Sequence, residues 1–219
     1  MINPPGQTLS ATHDGDTEQR ILEAARTVFV RRGTAGARML EIAQEAGVNQ
    51  ALLHYYFRSK DRLAEAVFRQ VAGRILPSVF EILGSDLSIE QKVERMVHLY
   101  IDSLSRSPFL PGYILSELHH HPERATQLFA AAAGVDPARF ATPILSKLGA
   151  QIDARVAEGT MRPIAPEQFA VNLISLCIFP FAARPMFRVA FGLDEAAFAR
   201  FLEQRRRELP AFFLNALRP

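Results

Sequence analysis

Between Glu41 and Leu63 the chain reads EIAQEAGVNQALLHYYFRSKDRL, and this stretch limits the fold more than any other. Met39, Ile42, Ala43 and Ala46 recur at helical spacing until Gly47 stops the run, and Asn49 is placed to cap a second helix over residues 50–56. Ser59 is placed to cap the next helix, whose buried stripe is Leu63, Ala66, Val67 and Val71. Two helices of about two turns each, joined at a glycine, form a compact corner that can lay its second member in a DNA major groove.

In that second helix Val48, Leu53 and Phe57 are spaced to face a core, which leaves Gln50, Ala51, Leu52, His54 and Tyr55 outward and Tyr56 at the border. Glutamine pairs with the N6 and N7 edge of adenine, Ala51 and Leu52 can touch a thymine methyl, and His54, Tyr55 and Tyr56 can donate to bases or phosphates. Lys60 and Arg62 open the following helix, where a phosphate would also meet the positive end of the helix dipole, and Arg38 is placed to clamp another. Residues 17–62 hold eight basic side chains (Arg20, Arg26, Arg31, Arg32, Arg38, Arg58, Lys60, Arg62) against five acidic ones (Glu18, Glu23, Glu41, Glu45, Asp61), a difference of +3. With a whole-chain charge of only +2, contact with nucleic acid has to be local. Spacing alone also admits a capped bundle corner whose aromatics are core.

Upstream, Asp16 with Gln19 reads as a helix start, and Ile21, Leu22, Ala25, Val28 and Phe29 recur at helical spacing until Gly33. Residues 1–15 lack periodicity and read as a flexible arm. Beyond Pro77 the pattern stays helical, with breaks at Gly84-Ser85, Ser107-Pro108, Pro122, Gly134, Gly159 and Gly192. Phe140, Ile144, Leu148, Ile152 and Val156 step by four along one helix, in which Pro143 is a candidate kink. Strand-like alternation is missing, so the expected fold is all-α, with about nine helices. The expected organisation is an arm over 1–15, a three-helix helix-turn-helix domain over 16–62, and a helical bundle over 63–219.

Ile21 to Phe29, followed by EIAQEAGVNQALLHYYFRSKDRL, resembles the N-terminal domain of the TetR family of one-component regulators, with its glycine turn, aromatic recognition helix and Ser-Lys sequence. The resemblance covers roughly residues 17–71 and implies DNA contact by Gln50, Ala51, Leu52, His54, Tyr55, Tyr56 and Lys60, with Arg38 near a phosphate. Ala37 stands where the family often has a Thr or Ser that caps the second helix, His54-Tyr55 inverts the commoner Tyr-His order, and Leu52 replaces a frequent Thr. The operator sequence is therefore not inherited. The resemblance further implies a cytoplasmic homodimer, a repressor released from double-stranded operator DNA by a small effector that alters the spacing of the two recognition helices. It implies a dimer seam built from residues 166–181 and 194–217, where Phe169, Val171, Leu173, Ile174, Leu176, Ile178, Phe179, Phe198, Phe201, Leu202, Leu209, Phe212, Phe213 and Leu217 lie.

Tyr100, Phe109, Tyr113, Leu118, Phe129, Phe140 and Phe181 are candidate walls of a mainly apolar effector pocket, with Asn172, Ser116 or His119 to orient a polar group. The lone Cys177 sits in an apolar run and reads as a buried thiol in a reducing compartment. Residues 1–16 lack the basic start and apolar stretch of a signal peptide. His119-His120-His121 points to zinc or general-base work by residue type, but helical neighbours diverge by about 100 degrees and cannot converge on one metal. An exposed or capping role is expected there, and a solvated face for Arg205-Arg206-Arg207. No cofactor and no membrane contact are expected, and no Gly-rich phosphate loop, GxSxG, HExxH or cysteine pair supports catalysis. Two alternatives to the inducible regulator are a DNA-binding or adapter dimer without an effector, and a helical enzyme using His119 or His121.

Overall fold

A computed structural model describes residues 8–108, 110–123, 125–126 and 137–219. Ten α-helices and no strand occur among them. They are α1 (Thr8–Gly36), α2 (Met39–Glu45), α3 (Gln50–Tyr56), α4 (Lys60–Gly84), α5 (Ile89–Ser105), α6 (Leu110–His120), α7 (Pro137–Ala157), α8 (Pro166–Ala182), α9 (Arg184–Ala190) and α10 (Glu195–Asn215). The all-α expectation holds, and the tenth helix is the short α9, which the sequence pattern did not separate from its neighbours. Two compact units divide the chain, Met1–Val71 and Ala72–Pro219, with α4 beginning in the first and ending in the second.

In the first unit the helical stripes read from sequence close over one core. Ile21, Ala25, Val28 and Phe29 of α1, Ile42 and Ala43 of α2, Leu53 of α3, and Leu63, Val67 and Phe68 of α4 are all buried. The start of α1 is a correction: the helix begins at Thr8, so Asp16 is not its cap. Once the core-facing turns exist, each added residue brings one hydrogen bond, and Gly15 costs only about 1 kcal/mol against alanine. Of the expected arm, residues 1–7 lie outside the described residues. Gly33 and Gly47 both adopt positive φ, at 69° and 64°, which is why these two breaks fall on glycine.

In the second unit α8 is the central helix, contacted by α5, α6, α7 and α9, while α10 packs along α5. Phe169, Leu173 and Cys177 of α8 are fully buried with Leu148 and Ile152 of α7 and Val93 and Met96 of α5. The Phe169 ring meets Phe213 of α10 edge to face, with centroids 5.1 Å apart. Pro143 lies within a continuous α7, and α9 turns 68° away from α8. No single helix among the described residues is long and apolar enough to cross a membrane.

The buried Lys92 ammonium donates to the Leu83 carbonyl at the end of α4 and to Gln151 Oε1 on α7, both at 2.6 Å. The Gln151 amide in turn donates to the Leu87 carbonyl at 3.0 Å, which joins the α4–α5 turn to α7. Burial holds the Lys92 pKa below its ordinary value.

Arg205-Arg206-Arg207 is a second correction. Arg205 Nη2 donates to the Leu176 carbonyl at 2.7 Å and Arg206 pairs with Asp102 at 3.0 Å, which leaves Arg207 as the exposed member. Two of the three arginines thus fasten α10 to α8 and α5, because guanidinium forks reach carbonyl and carboxylate groups across a helix interface.

Cys177 is fully buried, and burial pushes its thiol up from 9.0 to about 12. Tyr100 is also raised by burial, above its ordinary 10.0. A folded-state pKa above the unfolded one stabilises the fold fully below the unfolded value, and that contribution is lost as pH rises through the window. The contribution of these two groups should therefore hold up to about pH 9 and decline from there towards about 12, with Tyr100 adding to the loss above 10, while the lowered Lys92 opposes that loss up to its ordinary 10.5. Urea midpoints measured on either side of about pH 9 check this, and equal midpoints would contradict it.

Candidate nucleic-acid interface

Helix α3 is built as the spacing required. Asn49 has extended backbone and its side chain accepts from the Leu52 amide at 2.7 Å, which starts the helix at Gln50. Leu53 is fully buried and Phe57 is 7% exposed, so the inner edge of α3 is anchored in the core of the first unit. The outer edge presents Gln50, Ala51, Leu52, His54 and Tyr55 to solvent, with Tyr55 at 74% exposure. Tyr56 is half-buried at the border, its ring edge-on to Tyr55 with centroids 5.4 Å apart. Ser59 Oγ then accepts from the Arg62 amide at 3.3 Å at the start of α4.

Six of the eight basic side chains of residues 17–62 divide into two groups. Arg26 pairs with Glu23, Arg31 with Glu41 and Glu45 at 3.1 and 3.6 Å, and Arg32 with Glu41 at 3.0 Å. Arg38, Arg58 and Arg62 are exposed and their guanidinium groups make no ion pair with another described residue. The modest local charge is therefore carried by side chains flanking α3, where an anionic backbone would run.

Lys60, expected to contact DNA, also makes bonds within the protein. Its ammonium donates to the Ala35 carbonyl at 3.0 Å, in the last turn of α1, and to the Ala37 carbonyl at 3.2 Å, between α1 and α2. Arg38, not Ala37, is the N-cap residue of α2, with extended backbone and no side-chain cap. Sequence reasoning had no signal for these bonds, because their acceptors are backbone groups 25 and 23 residues away. It also counted Arg58, in the α3–α4 turn, only as charge.

The described residues among those read as effector-pocket walls differ in exposure. Tyr100, Tyr113 and Phe181 are buried, Leu118 is half-buried, and Ser116, His119 and Asn172 are exposed. Asn172, expected to orient a polar group in the pocket, lies on an exposed face of α8 in the single protomer. Phe109 and Phe129 lie outside the described residues, as does the side chain of Phe140. A cleft of about 600 Å³ instead lies between α5 and α10, lined by Ile101, Asp102, Arg106, Arg184, Phe198 and Leu202 among others, and none of the expected walls. Nothing in periodicity marks it, since it depends on how α10 crosses α5. His120 Nδ1 lies 2.7 Å from the Ser116 carbonyl and His121 faces Glu123 at 3.3 Å. No group of three His, Cys, Asp or Glu side chains among the described residues could hold a metal ion.

The comparisons with known proteins agree with this geometry. The family profile described as bacterial regulatory proteins, tetR family, matches residues 21–67, the span of α1 to α4 that carries the corner. The helix-turn-helix transcriptional repressor SCO4008 of Streptomyces coelicolor is 32% identical over 54% of this chain and 62% of its own length. The uncharacterized helix-turn-helix transcriptional regulator TtgW of Pseudomonas putida is 33% identical over 43% of this chain and 68% of its own. Several other curated relatives are spanned over about half their length or less. A crystal structure of a TetR/AcrR-family transcriptional regulator from Thermobifida fusca shares the fold, with a TM-score of 0.57 and 19% identity over 93% of this chain and 100% of that one. A corner whose buried and exposed faces follow the sequence pattern, matched by the profile and by these relatives, shows that the chain belongs to the TetR family of bacterial regulatory proteins.

Proposed function

We propose that this protein is a cytoplasmic, homodimeric transcription regulator that binds double-stranded operator DNA through α3 and represses transcription until a small effector binds its second unit. The observation that carries the reading is the division of α3 into a fully buried Leu53 and an outer edge of polar and aromatic groups, Gln50, Leu52, His54 and Tyr55. A face of this kind offers the bidentate, hydroxyl and methyl-touching contacts that read base edges. Arg38, Arg58 and Arg62 flank it as phosphate contacts. Gln50, Ala51, Leu52, His54, Tyr55 and Tyr56 are the proposed base-side residues. Selection of duplexes from a randomised library tests this. A recurrent sequence with two related half-sites is expected, and failure to enrich any sequence would overturn the reading.

A helix of this size reads one half-site, so a partner is needed to set two half-sites about 34 to 36 Å apart. Support for a seam on α8 and α10 comes from apolar side chains that their own unit leaves uncovered: Val171 at 57% exposure, Phe179 at 54% and Phe212 at 63%. Phe212→Glu places a charge on that surface without touching the core. It is expected to convert the dimer to a monomer by light scattering at micromolar concentration, with little change in the melting of the monomer. A variant that scatters as the wild type does would remove α10 from the seam.

The effector is proposed to be mainly apolar or aromatic, held in the second unit near Tyr100, Tyr113, Leu118 and Phe181. It would act by preferring one of two conformational states, since an effector shifts DNA affinity only through such a preference. A thermal-shift screen of small molecules tests for it, because a native-state binder raises the melting temperature by mass action.

A further inference from the structure

We propose that Lys60 is a positioning residue for DNA binding: its ammonium fastens the α1–α2 joint to the start of α4 and so sets where Arg38 meets a phosphate. The proposal rests on the DNA-binding reading above and replaces the expectation that Lys60 touches DNA itself.

The joint needs fastening. Gly33, at φ 69° and ψ 160°, interrupts the helical backbone of α1 near its end. Helix α2 starts without a side-chain cap, and Ala37, just before its N-cap residue Arg38, carries no hydroxyl. Lys60 does not replace that cap, since an ammonium only donates, but it ties the joint to α4, with one donor on the Ala35 carbonyl at 3.0 Å and another on the Ala37 carbonyl at 3.2 Å. An ammonium has three donors, so two of the three are committed to backbone in the free protein.

The second of these bonds is the one that reaches Arg38. The Ala37 carbonyl and the Arg38 amide belong to one rigid peptide plane, so holding that oxygen orients the backbone from which the Arg38 side chain departs. The Ala37 side chain is 3% exposed, which leaves this plane little room to drift. Across the joint, Arg31 and Arg32 of α1 grip Glu41 in the first turn of α2. Arg38 lies between these two fastenings, exposed and with no ion pair to another described residue.

The test uses the full chain, a duplex enriched by the wild-type protein, and the variants Lys60→Met, Arg38→Ala and their double. Dissociation constants are measured against salt. Each phosphate contact contributes about 0.9 to the slope of log K on log salt. Each single variant is expected to bind about tenfold more weakly and to lower that slope by about one per half-site, and the double variant is expected to lose no more than either single one. Additive losses of affinity and slope in the double variant would mean that Lys60 contacts a phosphate itself, and would overturn the proposal. So would a wild-type slope in Lys60→Met accompanied by a lower melting temperature, the mark of a merely structural role, or a wild-type slope in Arg38→Ala. If the wild-type protein enriches no duplex, it is the DNA-binding reading that fails instead.

Discussion

Tyr55→Ala is expected to abolish the preference for an enriched duplex over a scrambled one while leaving the protein folded. The side chain is 74% exposed, so truncation removes almost no buried area in the free protein, and its effect on stability should stay within about 0.5 kcal/mol. In the proposed complex the same ring and hydroxyl would meet the major groove, where a good base contact is worth about 1 to 3 kcal/mol. The proposed dimer would make that contact twice, so the expected combined loss is about 2 to 6 kcal/mol, or roughly 30-fold to more than 10⁴-fold in affinity. Anisotropy titrations at one fixed salt concentration, with both duplexes, measure it. Binding to the scrambled duplex should change little, because phosphate contacts carry that term. Tyr55→Phe separates the parts: retained preference assigns the effect to the ring, and lost preference to the hydroxyl. If Tyr55→Ala keeps the wild-type ratio between duplexes, α3 does not read sequence through this residue.

Phe169→Ala is expected to have the largest effect on stability, lowering it by about 3 to 5 kcal/mol and the melting temperature by on the order of 10 °C. Phe169 is fully buried on α8 and meets Phe213 of α10 edge to face. Its removal loses transfer free energy, leaves a cavity among close-packed neighbours, and breaks an aromatic contact worth about a further 0.5 to 1.5 kcal/mol. Denaturant melts under matched conditions check it, and a loss under about 1 kcal/mol would mean that the site collapses around the gap. The contrast with Phe212→Glu separates two jobs that one apolar pattern performs on α10. Phe213 fills the protomer's own core, whereas Phe212, one position earlier and about 100 degrees round the helix, is left for the proposed seam.

The helical corner was legible in the sequence because its signals are local. Asn49 capping α3 through the Leu52 amide, Gly47 at positive φ, and Leu53 opposite Tyr55 each depend on residues within one or two helical turns. The start of α1 was not legible, since local capping chemistry at Asp16 competes with propagation from a tertiary core that no local window contains. The arginine run on α10 was misread for a related reason: composition marks three charges, but only the crossing of α10 over α8 and α5 brings Arg205 to the Leu176 carbonyl and Arg206 to Asp102. Pocket walls were the least legible part. Aromatic residues at helical spacing line cores and cavities alike, and Asn172 could be placed on an outward face only once α8 had neighbours.

Periodicity, capping residues and the aromatic α3 by themselves determined the all-helical architecture, the corner at Gly47 and which of its faces is outward, because each follows from backbone geometry over a few residues. Only the tertiary structure decided where Lys60 spends its charge, which of Arg205, Arg206 and Arg207 is free, and which apolar residues of α8 and α10 remain uncovered. Those outcomes turn on groups that lie far apart along the chain and meet only when helices cross. The sharpest case is Lys60, whose ammonium finds two backbone carbonyls that no side-chain pattern records.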